Sequence, residues 1–156
     1  MNIEVKLAVL EALVKNEEAI SRLYEVFSRQ FQNIGDFWEQ LALEELSHAR
    51  AIRSLYPRIK DGSIGFNPDR FKMQAIEYFH SYVQELIMKT EGRDLVWAFS
   101  VAVDVERSLL ESQFFSVFEA DSKELRDILN KLAEDTRRHF KNIKEAWDRF
   151  RGGDLS

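Results

Sequence analysis

The chain has 156 residues, with 22 Lys and Arg against 27 Asp and Glu and no cysteine, which suits one domain spanning 1–156. Its net charge of −5 disfavours nucleic acid as a partner, no apolar run approaches the ~20 residues of a membrane span, and we expect a cytoplasmic protein. Without cysteine, disulfides and thiolate metal centres are excluded, so histidine and carboxylate remain as the strong metal ligands.

Breaker residues and start signals predict five helices. We place them at about 3–31, 36–56, 69–90, 94–118 and 122–150, with 57–68 as the one long loop. Four of the starts have residues that are typical N-terminal caps: Asp36, Asn67, Asp94 and Asp121. No segment alternates apolar and polar residues with a period of two, so no strand is predicted and the fold class is all-α.

The lengths of the links predict how these helices pack. Links of roughly four residues join the first helix to the second and the fourth to the fifth, and such short links force neighbouring helices to run antiparallel. The segment between the two pairs is long enough to carry the chain along the length of a bundle. We therefore predict an antiparallel four-helix bundle with the 69–90 helix as an additional crossover.

Polar residues interrupt the apolar seams of four of the five helices near their middles. They are Glu17 in the first helix, Glu45 and His48 in the second, Glu106 in the fourth, and Thr136 and His139 in the fifth. In a bundle these positions form one layer, and three buried carboxylates with no Lys or Arg beside them need a source of positive charge. A divalent metal ion supplies that charge and accepts both oxygen and imidazole ligands.

Each of these residues alone also has a simpler interpretation. A single seam glutamate becomes a surface residue if the helix register is shifted by one position, and a lone histidine is more often a satisfied core residue. Tyr24 is expected in the core, with a hydrogen bond to a ligand as the alternative. A metal site is favoured because polar residues interrupt the apolar seams of four helices at the same level.

The spacing resembles that of the rubrerythrin-like diiron-carboxylate proteins of the ferritin-like superfamily over about 120 residues. That family has a Glu on each of two helices and a Glu-x-x-His on each of the other two. The matching stretches are Glu17 seven residues before Tyr24, Glu45-Leu-Ser-His48, Glu106 in Val-Asp-Val-Glu-Arg, and Leu132-Ala-Glu-Asp-Thr-Arg-Arg-His139.

The resemblance implies a metal site and an activity. The implied ligands are Glu17, Glu45, His48, Glu106 and His139. The implied cofactor is one or two iron ions, with manganese or zinc as alternatives, and the implied activity is that of an oxidoreductase acting on peroxide or dioxygen. Since the chain lacks the cysteines of a rubredoxin-like centre, redox turnover would need an external electron donor.

The sequence departs from the family at Thr136, where the family has a bridging Glu. Three carboxylates cannot neutralise two ferrous ions, so a second ion should bind weakly or be lost. Asp135 is a poor substitute, because its Cβ points off the seam. Glu77-Tyr-Phe-His80 is a rival second motif, which we reject because it leaves Glu106 without a role. The alternative function is a metal-free helical-bundle protein with an interaction or structural role.

The 69–90 helix also predicts a homodimer. It carries more apolar residues than one contact face needs, and large apolar patches usually have partners. These residues are Phe71, Ile76, Phe79, Tyr82, Val83, Leu86 and Ile87.

Overall fold

The computed structural model describes residues 3–66, 72–112, 118–120 and 123–153. In chain order these form helix α1 (Ile3–Gln30), a 3-10 turn (Gln32–Ile34), α2 (Gly35–Arg53), α3 (Tyr56–Lys60), strand β1 (Ile64–Phe66), α4 (Met73–Lys89), α5 (Leu95–Ser112), strand β2 (Phe118–Ala120) and α6 (Lys123–Arg151). The predicted all-α class is confirmed, and the five long helices begin and end close to the predicted positions wherever the structure describes them.

Two predictions about the connections are wrong. The 57–68 segment contains α3, with Pro57 in its first turn, and β1, which pairs antiparallel with β2. The predicted extension of the fourth helix to 118 fails because Phe118 belongs to β2, while 113–117 lie outside the described residues. Strands of three residues are too short to produce an alternating pattern, and their pairing joins segments far apart in the sequence, so local periodicity could not reveal them.

The predicted helix caps have mixed outcomes. Asp94 caps α5, because its Oδ1 accepts the backbone N–H of Trp97 at 2.9 Å. Asp36 does not cap α2, since the preceding 3-10 turn leads directly into the helix and places Ile34 at the N-cap position. Two further predicted caps lie outside the described residues: Asn67 and Asp121.

Helices α1 and α2 pack antiparallel. Near one end Trp38 lies against Tyr24 and Phe27, with ring centroids 5.7 and 4.9 Å away. Near the other end Arg53 lies 3.5 Å from Glu11. As the residue number rises along α1 it falls along α2, as the short link between them predicts.

Helices α5 and α6 are also antiparallel neighbours, and the segment that joins them contains β2. Phe99 of α5 packs against Trp147 and Phe150 of α6. Further along, Glu106 of α5 approaches His139 of α6. The two pairs therefore form two helical hairpins.

Helix α4 lies along α1 and runs in the same direction. Asn16 donates to the Ile76 carbonyl at 3.3 Å, and Gln30 donates to the Thr90 carbonyl at 2.8 Å. The chain is thereby carried back along α1, so α5 begins at the end of the core where α2 begins. This route brings the two hairpins together.

The polar interruptions lie between two hydrophobic clusters on α1, α2 and α6. One cluster is rich in aromatic rings and includes Tyr24, Phe27, Trp38 and Phe99. The other is aliphatic and includes Leu10, Leu13, Ile52, Leu55 and Leu132. Apolar packing above and below thus removes water from the polar layer, which makes every unpaired charge in it costly.

Most of the apolar residues of α4 on which the homodimer prediction depends pack against the rest of the chain. Ile76, Val83 and Leu86 are buried, Phe79, Tyr82 and Ile87 are half-buried against the core, and Phe71 lies outside the described residues. The large apolar side chains that α4 does expose are Tyr78 and Met88, at 75% and 82%.

Helices in the described ranges all lack the combined length and apolar character needed to cross a bilayer.

We propose that the chain forms a homodimer through α4, which exposes Tyr78 and Met88. Light scattering over a wide range of protein concentration should give the mass of two chains. Tyr78→Ser with Met88→Ser should shift the mass towards one chain, because it removes the large apolar side chains that α4 exposes. A single-chain mass for the wild type at every concentration would contradict this prediction.

Candidate metal centre

All five residues predicted as ligands are buried, and the structure brings them together. They are Glu17 of α1, Glu45 and His48 of α2, Glu106 of α5 and His139 of α6. Glu45 and His48 are one helical turn apart, so both side chains leave the same face of α2. The polar residues that interrupt the seams of the four helices therefore lie in one layer.

Glu45 is the centre of this layer. Its Oε1 lies 2.9 Å from His139 Nδ1, and its Oε2 lies 3.4 Å from His48 Nδ1. Glu17 Oε2 is 3.9 Å from His48 Nδ1, and Glu106 Oε1 is 3.8 Å from His139 Nδ1. Ligand atoms of Glu45, His48 and His139 all lie within 4.8 Å of one another, so this buried group could hold a metal ion.

Each site histidine has a carboxylate on its outer nitrogen. His48 Nε2 lies 3.4 Å from Asp135 Oδ2 on α6, and His139 Nε2 contacts Glu44 Oε2 on α2. A carboxylate at Nε2 favours the tautomer with its proton there, which turns the Nδ1 lone pair towards the layer. Asp135 therefore orients His48 and does not replace the bridging carboxylate that is absent at position 136.

The role of Glu44 was not predicted from the sequence, although its spacing from His48 is a signal. Glu44 lies four residues before His48, and Asp135 lies four residues before His139. Each acidic residue contacts the histidine of the other helix, so the two contacts are reciprocal. Four-residue spacing alone does not indicate a contact between helices, and the arrangement becomes clear only once α2 and α6 are neighbours.

Several buried polar atoms of this layer have no hydrogen-bond partner within the described part of the chain. Four of them are Glu17 Oε2, Glu45 Oε2, His48 Nδ1 and Glu106 Oε2, and a fifth is His139 Nε2, whose contact with Glu44 lacks hydrogen-bond geometry. Buried polar atoms without partners cost free energy, and native proteins rarely leave several together. Carboxylate oxygens and imidazole nitrogens are suitable donors for a divalent transition metal, so these residues fit such an ion.

The carboxyl groups of the layer differ in charge. Burial and then the charge of Glu45 raise the pKa values of Glu17 and Glu106 well above 4.5. Burial would also raise the pKa of Glu45, but the side chains of Glu17, His139 and His48 beside it hold that pKa well below 4.5. Burial lowers the pKa of His139, yet its hydrogen bond with Glu45 outweighs this and raises the pKa to about 9. The metal-free site therefore contains an ionised Glu45 beside a protonated His139.

This charge pattern predicts that the metal-free protein loses stability as the pH rises. His139 keeps its proton up to about pH 9 when folded but loses it near 6.5 when unfolded. The folded state binds more protons in that window, so the free energy of unfolding should fall, by at most about 3 kcal/mol. The raised pKa values of Glu17 and Glu106 act in the same direction.

Urea unfolding of chelator-treated protein between pH 6.5 and 9 measures this effect, and His139→Gln should flatten the dependence. Stabilisation by added divalent metal should grow with pH, because the ion displaces these protons. Metal-free stability that rises over this window would show that the protons are assigned wrongly.

Two further residues of the layer are hydrogen-bonded. Tyr24 donates its hydroxyl to Glu106 Oε1 at 2.8 Å, which is the alternative role suggested for it by the sequence. Thr136 is buried, but its Oγ1 donates to the Leu132 carbonyl at 3.0 Å, so its hydroxyl bonds to its own helix. Position 136 thus supplies no carboxylate to the layer.

The rival motif on α4 lies elsewhere. Glu77 is exposed and His80 half-buried, and both line a groove of about 450 Å³ between α1 and α4. The buried group of possible ligands does not include them. Rejecting Glu77-Tyr-Phe-His80 in favour of Glu106 and His139 therefore agrees with the structure.

Comparison of the chain with the profiles of protein families, with curated proteins and with solved structures finds no match. The case for a metal centre consequently depends on the geometry and chemistry of these side chains.

Proposed function

We propose that this chain is a ferritin-like, rubrerythrin-like protein that binds iron through Glu17, Glu45, His48, Glu106 and His139. The observation that carries the proposal is the set of four buried ligand atoms without hydrogen-bond partners, which come from α1, α2 and α5 and face one layer. A bound cation would satisfy these atoms and neutralise the carboxylates. Its binding energy would then contribute directly to the stability of the fold.

The directions of the helices support the fold part of the proposal. Helices α1, α2, α5 and α6 all deliver residues to the layer, and each sequential pair is antiparallel. Helix α4 returns along α1 before α5 begins. We infer an antiparallel four-helix bundle in which α4 is the crossover, the topology of the ferritin-like superfamily.

The donor set favours particular ions. Two imidazoles and three carboxylates suit Fe²⁺, Mn²⁺ or Zn²⁺ better than Mg²⁺ or Ca²⁺, which prefer oxygen ligands alone. Bound ferrous iron would supply electrons for the reduction of peroxide or dioxygen. Tyr24 holds Glu106 in place, and Glu44 and Asp135 hold the two histidines. Because the chain has no cysteine, the reductant must come from an external donor.

We infer that one ion binds more tightly than a second. Glu45, His48 and His139 form the compact group of donors, with Glu17 and Glu106 on either side of it. A second ion would require more negative charge, and Thr136 supplies none.

A metal-free structural or interaction protein is the competing function, and one observation favours it. Glu45 and His139 form a buried ion pair that partly compensates the layer without metal. With the Thr136 hydroxyl bonded to its own helix, the layer can be viewed as the remnant of a metal site.

Elemental analysis of protein purified without chelator, followed by anaerobic titration with ferrous iron, tests the proposal. We expect about one tightly bound ion per chain in the wild type, and far weaker binding in Glu45→Gln. Glu39→Gln is the matched control, because it removes a carboxylate from the exposed face of the same helix. Equal iron binding by both variants and the wild type would show that the iron does not bind at Glu45. Absence of iron binding by all three would favour the metal-free function.

A further inference from the structure

An arc of ion pairs closes the outer side of the metal layer between α2 and α6. The Arg138 Nη2 atom lies 3.3 Å from Glu44 Oε1 and 3.3 Å from Asp135 Oδ1. The second oxygen of each carboxylate contacts a site histidine, Glu44 reaching His139 and Asp135 reaching His48. The arc therefore runs from one histidine to the other through two carboxylates and a single guanidinium group.

This arc lies on a partly exposed side of the site. The side chains of Glu44 and Asp135 are 26% and 22% exposed, and that of Arg138 is 51% exposed. The inner side chains are at most 4% exposed. A cation that approaches from solvent between α2 and α6 meets the two carboxylates first, and the unpartnered ligand atoms lie behind them.

We propose that Arg138 is a latch over the route by which a divalent metal cation enters and leaves the site. The proposal rests on the metal site proposed above. The guanidinium occupies the place between two carboxylates where an incoming cation would first bind. Exposed ion pairs of this kind are weak, so the latch opens readily, yet it must open before the carboxylates can accept another cation.

A latch has a kinetic signature that separates it from two simpler roles. Because it lies across the route in both directions, its removal speeds association and dissociation together and leaves the Kd nearly unchanged. A positive charge that merely repels cations would slow association and speed dissociation, so its removal would tighten binding. An arginine that only holds Glu44 and Asp135 in place would leave association unchanged, and its removal would speed dissociation alone.

Stopped-flow measurement with Co²⁺, whose visible absorption reports coordination, tests the proposal on the full chain. Arg138→Gln should raise the rate constants of association and of chelator-driven dissociation by about fivefold, because two weak exposed pairs are lost. Its Kd should stay within about twofold of the wild type. Arg137→Gln removes the same charge one residue away on the exposed face of α6 and should change neither rate constant by more than about twofold.

Three kinetic outcomes would overturn the latch. These are equal effects of Arg137→Gln and Arg138→Gln, faster dissociation alone, and faster association with slower dissociation. If the wild type binds no Co²⁺ in an equilibrium titration, the metal site itself is rejected and the latch with it. That failure appears before any rate is measured, so the two failures are distinguishable.

Discussion

Thr136→Glu should raise the iron bound per chain from about one ion towards about two. Thr136 is buried on α6 one turn before His139, and its hydroxyl bonds to the Leu132 carbonyl. A glutamate there would complete a second Glu-x-x-His and add a fourth carboxylate, enough to neutralise two ferrous ions. Elemental analysis after anaerobic loading, followed by removal of excess iron, measures the change.

Thr136→Gln is the matched control, because glutamine has nearly the same size and shape but no charge. It should leave the stoichiometry at the wild-type value. Without metal, Thr136→Glu should be the less stable of the two variants, since it adds a buried acid to a layer that already holds Glu17 and Glu106. Equal iron binding by the two variants would show that position 136 does not face the metal.

Glu45→Gln and Glu106→Gln should differ in their effect on the stability of the metal-free protein. Burial raises the pKa of Glu106 well above 4.5, so an amide, which resembles the protonated carboxyl group, should leave stability unchanged or slightly raised. Glu45 is the ionised partner of the protonated His139, and its loss should cost about 3 kcal/mol. Both variants should lose metal affinity, Glu45→Gln by at least about a hundredfold because it contacts both histidines.

Urea unfolding in the presence of chelator and competitive titration with Zn²⁺ measure the two effects separately. Tyr24→Phe is a useful companion, because it removes the hydrogen bond to Glu106 without touching a charge. If Glu106→Gln destabilised the metal-free protein as much as Glu45→Gln does, the two carboxyl groups would carry the same charge and the assignment would be wrong.

The seam spacing was sufficient to predict that the site residues of the helices are buried. Steps of three and four residues put Glu17, Glu45 and Glu106 on the buried faces of their helices, and the structure buries all three. This success has a physical reason, since a long helix with a continuous apolar stripe has only one face that it can bury. A polar residue within that stripe is therefore inside the protein whatever the details of packing.

Features that depend on contacts between distant segments could not be predicted in this way. The pairing of β1 with β2 and the contacts of Glu44 and Arg138 join residues far apart in the sequence. Asp36 matched the local cap pattern, but the 3-10 turn before α2 moved the helix start. The apolar residues of α4 indicated a surface that needs a partner, whereas α1 and the core cover most of them.

The most direct test of the central claim is an anomalous-scattering map from crystals grown with Mn²⁺ or Fe²⁺. We predict a strong peak among Glu45, His48 and His139, with loss of the 2.9 Å contact between Glu45 Oε1 and His139 Nδ1 as both groups turn to the ion. An intact ion pair with no peak in the layer, at a metal concentration that labels surface carboxylates, would contradict the metal site.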